Sequence, residues 1–489
     1  MANQSIAKTM TTGVIWSYAE RFLAQLITLV VSIVLARILD PEHYGTVAVV
    51  TVFITICDAL VTGGFGNALV QKKDATDTDF NTICWFSIAL AAVLYVILFF
   101  CAPIIAAIYK DDILVIVTRV MGVKFIFSAF NCVQQAYVQR KMMFKKFFFA
   151  TLTGTLASAV VGIWIAINGG GVWALVAQYL TNTIIDTVFL YATIDWKPRF
   201  EFSKDSFNEL WGFGAKMLAS TMVFTVRDNI RSLVVGKKFS TTDLAYYNHG
   251  KKFPQLAVTD IVSSLGKVLF PALSEKQEHK EESVKIMRRS VSLSSYVLSP
   301  VIIGLIAVAN VFVISILTQK WLPAVPYLRI LCLVYITRSI NTVFQKGILS
   351  IGHSEQVLYY EIGTSSATLL LLFIAAFIFN SITLIAWSYV VIEILGTLYY
   401  AFCVRNYFGY TYKEMVIDYF PSIIMSLIMA AVVLLIGKTP IAPIAVFIIQ
   451  VIAGIFVYVI LSIISKNKDF KYLCSYISKA TEHFGNKNK

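Results

Sequence analysis

Apolar runs of about 20 residues recur from one end of this 489-residue chain to the other. Each run is long enough to cross roughly 30 Å of hydrocarbon. Hydrophobic residues make up 58% of the chain and charged residues only 14%. Such a chain has to use a membrane as its solvent. Backbone groups in lipid must be satisfied within the chain, so the runs are helices. Strict two-residue alternation is absent, which argues against a barrel.

The runs predict an all-α integral membrane protein with about fourteen spans. These fall near 13–37, 45–66, 82–108, 113–137, 147–168, 171–193, 210–236, 245–270, 290–318, 323–345, 355–379, 382–404, 416–437 and 441–464. The net charge of +13 is scattered through short loops, which fits a positive-inside membrane protein better than a nucleic-acid binder. With both termini cytoplasmic, twenty-four loop and terminal lysines and arginines fall inside and six outside. That asymmetry sets the orientation and supports an even number of spans. Only Lys8 precedes the first run and no cleavage site follows it, so the first run reads as a retained helix. The seven cysteines and five histidines are dispersed without CxxC, so no metal or cofactor is expected. The longest connection is expected near 271–289, as a charged cytoplasmic surface helix. After the last span, Phe470, Leu473 and Ile477 sit at helical spacing among lysines. They suggest an amphipathic helix on an anionic leaflet, or a plain solvated tail.

A weak repeat runs through the chain. Residues 36–42 match 236–242, residues 68–72 match 272–276, and Asn131 and Gln135 match Asn341 and Gln345. Six spans therefore repeat as six, a transporter signature with the site between the halves. The expected organisation is two six-helix bundles related by pseudo-two-fold symmetry, residues 1–200 and 201–408. Two further helices (409–465) and a basic tail (466–489) follow.

Leaving out the three residues at each end of a span, eleven lysines and arginines lie inside these spans, against seven acids. A charge at the bilayer centre costs about 2.5–3.5 kcal/mol even on lenient scales. The seventh span carries Lys216, Arg227 and Arg231 along one stripe, flanked by Asp228. The first carries Arg21 and Gln25; the fourth Lys124, Asn131 and Gln135; the tenth Arg338, Asn341 and Gln345. Four polar-faced helices can line a central cavity for an anionic group. Arg21, Lys124, Lys216, Arg227, Arg231 and Arg338 are the expected anion ligands, since planar guanidinium donors suit phosphate oxygens. Gln25, Asn131, Gln135, Asn341 and Gln345 would meet hydroxyl groups. Asp58, Asp186, Asp260, Glu361 and Glu393 are candidates for a proton or sodium relay, with Asp58, Asp260, Glu361 and Glu393 the preferred ion sites. The plain alternative is that these groups pair with one another, and that Lys251, Lys252, Lys267 and Arg329 snorkel to headgroups.

Several stretches resemble one family. They are Trp16-Ser17 through Arg21 and Gln25 to LARILDPEHYG (35–45), FGNALVQKK (65–73) and AYVQRKMMFKKFFFATL (136–152). They resemble the Wzx-type polysaccharide flippases, a branch of the multidrug/oligosaccharidyl-lipid/polysaccharide exporter superfamily. The resemblance implies two six-helix bundles plus two helices. It also implies an undecaprenyl-pyrophosphate-linked oligosaccharide, turned from the cytoplasmic to the outer leaflet of a bacterial plasma membrane by alternating access. The polymer would be an O-antigen, capsule or exopolysaccharide. Membrane lipids, a polysaccharide polymerase and glycosyltransferases are the expected partners, and nucleic acid is not.

Three rivals stand beside this reading. A cation-coupled multidrug exporter of the same superfamily would favour acids in its cavity. A peptidoglycan lipid-precursor flippase would share the cationic cavity. An integral-membrane glycosyl transferase or polymerase would need acids or a histidine pair on a sizeable external loop, and the loops here are short.

Overall fold

The computed structural model describes the backbone of residues 2–475; among the first 21 residues only the side chains of Trp16 and Glu20 are described. The described residues are almost wholly helical. In chain order the α-helices are α1 (Ala2–Ile38), α2 (Pro41–Thr62), α3 (Phe65–Gln71), α4 (Asp77–Tyr109), α5 (Ile113–Gly122), α6 (Lys124–Arg140), α7 (Phe144–Ile167) and α8 (Val172–Thr193). There follow α9 (Lys204–Lys238), α10 (Thr241–Glu275), α11 (Lys280–Phe312), α12 (Val325–Ser350), α13 (Ser354–Phe373), α14 (Ile382–Phe408), α15 (Tyr412–Ile436) and α16 (Pro443–Ile464). Helices α2 and α3 form one rod broken at Gly63 and Gly64, and α5 runs into α6 through a single turn at Val123.

Ten of these rods are long and apolar enough to cross a membrane by length and composition. Helices α8, α9 and α12 fall short, and of α1 only Phe22–Ile38 qualifies, as a shorter apolar helix. These helices carry many of the polar groups: Asn182 and Asp186 on α8, Lys216, Arg227 and Arg231 on α9, and Arg338 with Asn341 on α12. Their low hydropathy has the same cause as their interest.

The chain forms two compact units, residues 1–245 and 246–489. In the first, α7 packs on α1 and α8, while α9 lies along α2 and α3. Small residues allow that approach, as at membrane helix interfaces generally. A Cβ at Gly64 would stand 2.2 Å from the carbonyl oxygen of Gly214. One at Gly45 would stand 2.0 Å from that of Thr241. Thr221 adds a hydrogen bond from its hydroxyl to the Gly63 carbonyl oxygen, 3.0 Å. The core of this unit gathers Phe65, Phe80, Val133, Leu190 and Leu210.

At the polar end of this unit, Lys72 donates to Asp79 at 2.9 Å and to Glu209 at 2.8 Å. It thereby ties the start of α9 to α4. Desolvation pulls its pKa down, but the bonds to Glu209 and Asp79 prevail and hold it above the ordinary lysine value.

In the second unit, α11 packs against α12, α15 and α16, and α12 against α14. Arg288 holds α15 through Asp418 and Glu414, at 2.7 and 2.6 Å.

Two expectations change. The charged stretch 271–289 is not a long connection: α10 reaches Glu275 and α11 begins at Lys280. Polar side chains point outward from a helix without breaking it, so the charges mark the ends of two long helices. The longer connection is 194–203, between α8 and α9. The tail also differs. Phe470 and Leu473 pack on the core around Met425 and Tyr458, and Asp469 pairs with Arg289 at 3.0 Å. At least this first part of the tail is docked on protein, while Ile477 lies outside the described residues. Arg329 donates to the Ile306 carbonyl oxygen at 3.4 Å, so its charge is met by α11 rather than by snorkelling alone. All seven cysteines are free thiols.

Candidate functional site

A cavity of about 410 Å3 opens inside the first unit. Three rods build it. The end of α2 supplies Asp58 and Thr62, and α3, just past the glycine break, supplies Asn67. One face of α6 supplies Lys124, Ser128, Asn131, Gln135 and Gln139, at the three- and four-residue steps that share a helix face. Helix α8 supplies Asn182, Thr183 and Asp186.

Two bonds cross this cavity's wall. Lys124 donates to Asp58 Oδ2 at 3.1 Å, each side chain 22% exposed. Asn131, itself buried, donates to Asp186 Oδ2 at 2.9 Å, and Gln135 donates back to Asn131. The second oxygens, Asp58 Oδ1 and Asp186 Oδ1, are buried and accept no hydrogen bond from the described residues. Among the described residues the lining therefore carries two carboxylates and one ammonium.

The second unit repeats part of this chemistry. Asn341 on α12 donates to Glu393 Oε2 on α14 at 3.1 Å. Arg338, one turn away, lies over the Tyr335 ring at 5.7 Å, hydrogen-bonds Tyr389 and feels the Glu393 charge. Tyr400, on α14 as well, stacks on Tyr360 at 4.2 Å. The matching of Asn131 with Asn341 thus extends to their partners: each buried asparagine holds a carboxylate from a neighbouring span.

The remaining expected residues are distributed as follows. On α9, Arg231 is buried at 6% exposure, Arg227 is half-buried beside Phe224, and Lys216 is exposed. Gln25 on α1 and Glu361 on α13 are half-buried, and Asp260 on α10 is exposed. The side chain of Arg21 lies outside the described residues. The structure adds Asn182, Gln139 and Asn67 to the cavity and sets the relay candidate Asp186 in its wall. Asp186 and Glu393 occupy the sixth and twelfth spans, so the repeat pairs them as it pairs Asn131 with Asn341.

A profile of polysaccharide biosynthesis proteins matches residues 34–326. The chain belongs to the polysaccharide biosynthesis protein family. Within it, the chain is 25% identical to the teichuronic acid biosynthesis protein TuaB of Bacillus subtilis, covering 87% of this chain and 88% of TuaB. It is 23% identical to the succinoglycan biosynthesis transport protein ExoT of Rhizobium meliloti, covering 79% and 80%. It is 24% identical to the lipopolysaccharide biosynthesis protein WzxC of Escherichia coli, covering 69% of each chain. Among solved structures, the lipid II flippase MurJ in an inward closed conformation superposes with a TM-score of 0.73 at 16% identity, over 94% of this chain and 99% of MurJ. An inward-facing MATE transporter of the MOP superfamily superposes with 0.60 at 14%, over 78% and 95%. This family member therefore has the MurJ and MATE fold, as the sequence resemblance implied.

Proposed function

We propose that this protein is a flippase. It would carry an undecaprenyl-pyrophosphate-linked oligosaccharide from the cytoplasmic to the outer leaflet of a bacterial plasma membrane for cell-surface polysaccharide synthesis. The observation that carries this reading is the alignment with TuaB along 87% of the chain. ExoT is described as a transport protein, which favours transport over a glycosyl transferase or polymerase. MurJ is the better structural match, but at that identity it speaks for fold alone; the sequence relatives favour polysaccharide over peptidoglycan. The multidrug reading has the MATE fold for it and the excess of intramembrane cations against it.

The headgroup site belongs on the cationic helices. Arg227, Arg231 and Lys216 on α9 would meet the pyrophosphate, joined by Arg21 and Arg338. Lys124 shares its charge with Asp58, so it contributes less to an anion than its sequence position suggests. Gln25, Asn131, Gln135, Asn341 and Gln345 would serve the sugars. A polymerase and glycosyltransferases would act before and after the flip.

The membrane potential can drive the cycle. Each negative charge of the headgroup gains about 2.3 kcal/mol per 100 mV when it moves outward from an inside-negative compartment. In vesicles with a potassium–valinomycin potential and no proton or sodium gradient, labelled lipid-linked oligosaccharide should flip faster than in protein-free vesicles, and faster with the potential than without. No acceleration over protein-free vesicles would reject the flippase reading. Flipping that ignores the potential and follows an ion gradient would instead place a proton or sodium ion on Asp58, Asp260, Glu361 or Glu393.

Both termini belong in the cytoplasm, on the loop-charge asymmetry. Cysteines placed at 110, 238 and 438 should react with an impermeant reagent on intact cells, and one at 278 should not. The reverse labelling pattern would invert the topology.

A further inference from the structure

We infer that the cavity between α2, α6 and α8 is a sugar subsite, and that it takes a neutral or amino sugar and rejects a uronic acid. This rests on the flippase reading above and adds to it the charge class of one sugar.

The inference comes from what the wall offers a ligand. Its volume of about 410 Å3 lies within the roughly 300–1,000 Å3 usual for small-molecule sites. Amides dominate the lining: Asn67, Asn131, Gln135, Gln139 and Asn182. An amide carries both donors and acceptors and suits hydroxyls, which do the same. The two carboxylates each keep one buried oxygen, Asp58 Oδ1 and Asp186 Oδ1, that accepts nothing from the described residues. A buried acceptor left unmet is costly, so the site favours a ligand rich in donors. Sugar hydroxyls supply such donors, and a sugar ammonium supplies stronger ones.

Charge sets the limit. Among the described residues Lys124 is the only lysine or arginine in the lining, and Asp58 already holds it at 3.1 Å. A sugar carboxylate would enter beside Asp186 with no further cation among the described lining residues to meet it. A small cation is the competing occupant. It fits the room poorly, since a space of this size would hold about a dozen waters around it at roughly 30 Å3 each. Each carboxylate also has only one oxygen left to offer.

Three short-chain polyprenyl-pyrophosphate probes test this on the full-length protein in nanodiscs: one without sugar, a neutral set carrying glucose, galactose or N-acetylglucosamine, and one carrying glucuronic acid. At least one neutral probe should bind about tenfold or more tighter than the sugar-free probe, the scale of one hydrogen bond to a charged group. The glucuronic acid probe should bind no tighter than the sugar-free one. Asp186→Asn should shrink the neutral gain and improve glucuronic acid binding, a reversal that mere misfolding would not produce. Asn182→Ala should shrink the neutral gain alone. A glucuronic acid probe that outbinds every neutral one, or no gain for any neutral sugar, overturns the inference. So does sodium binding that Asp186→Asn abolishes while the sugar gain persists. Failure of the sugar-free probe to bind would count against the headgroup reading, and the two failures are thereby separate.

Discussion

Replacing Arg227 and Arg231 together by alanine should slow flipping of lipid-linked oligosaccharide in vesicles by tenfold or more. Both stand on α9, one turn apart on the same face, and a turn rises about 5.4 Å. Arg231 is 6% exposed, so it sits where charge is poorly screened. Losing a hydrogen bond to a charged group costs about 1.5–3 kcal/mol, and about 1.4 kcal/mol is already a factor of ten. Two such losses make the largest functional effect expected here. Each arginine also interacts with other groups of the protein, so thermal melting of the purified variant has to accompany the flux. Lysine at both positions should restore part of the rate, because charge returns without the planar fork. Wild-type flux through the alanine pair at equal protein would remove α9 from the headgroup site.

The second large effect concerns folding. Lys124→Ala leaves Asp58 as a partly buried carboxylate whose cation is gone. Breaking a buried pair by removing one partner costs about 3–5 kcal/mol; with a fifth of each side chain exposed, the low end of that range applies. The double variant Lys124→Met, Asp58→Asn should regain most of the loss, since no lone charge remains. Melting temperatures of the purified variants in detergent read this directly. Equal melting of the single and double variants would mean that the pair is not coupled.

The architecture was legible because the signal is local. A span is a run of apolar residues, and its length and flanking charges are read without knowing what it packs against. The internal match of Asn131 with Asn341 was likewise visible, and the family resemblance agreed with the fold. Local signals fail where polarity has two meanings. The charged stretch 271–289 reads as a loop or surface segment, yet it forms the ends of α10 and α11, because a helix leaving the membrane can carry charges on its solvent faces.

The site divides along the same line. A stripe such as Lys124, Asn131 and Gln135 shows which residues share a face. It does not show what that face meets. Asp58 reaches Lys124 across 66 positions and Asp186 reaches Asn131 across 55. Only the rotation and packing of α2, α6 and α8 decide those pairs. From sequence, Lys124 counts as one more cation for an anionic headgroup; in the structure its charge is shared with an acid, inside a cavity whose described lining has more carboxylates than ammoniums. The sequence by itself determined the membrane helices, their polar faces and the family. The tertiary structure decided which charges remain available, because neutralisation depends on distances of about 3 Å between segments far apart in the chain.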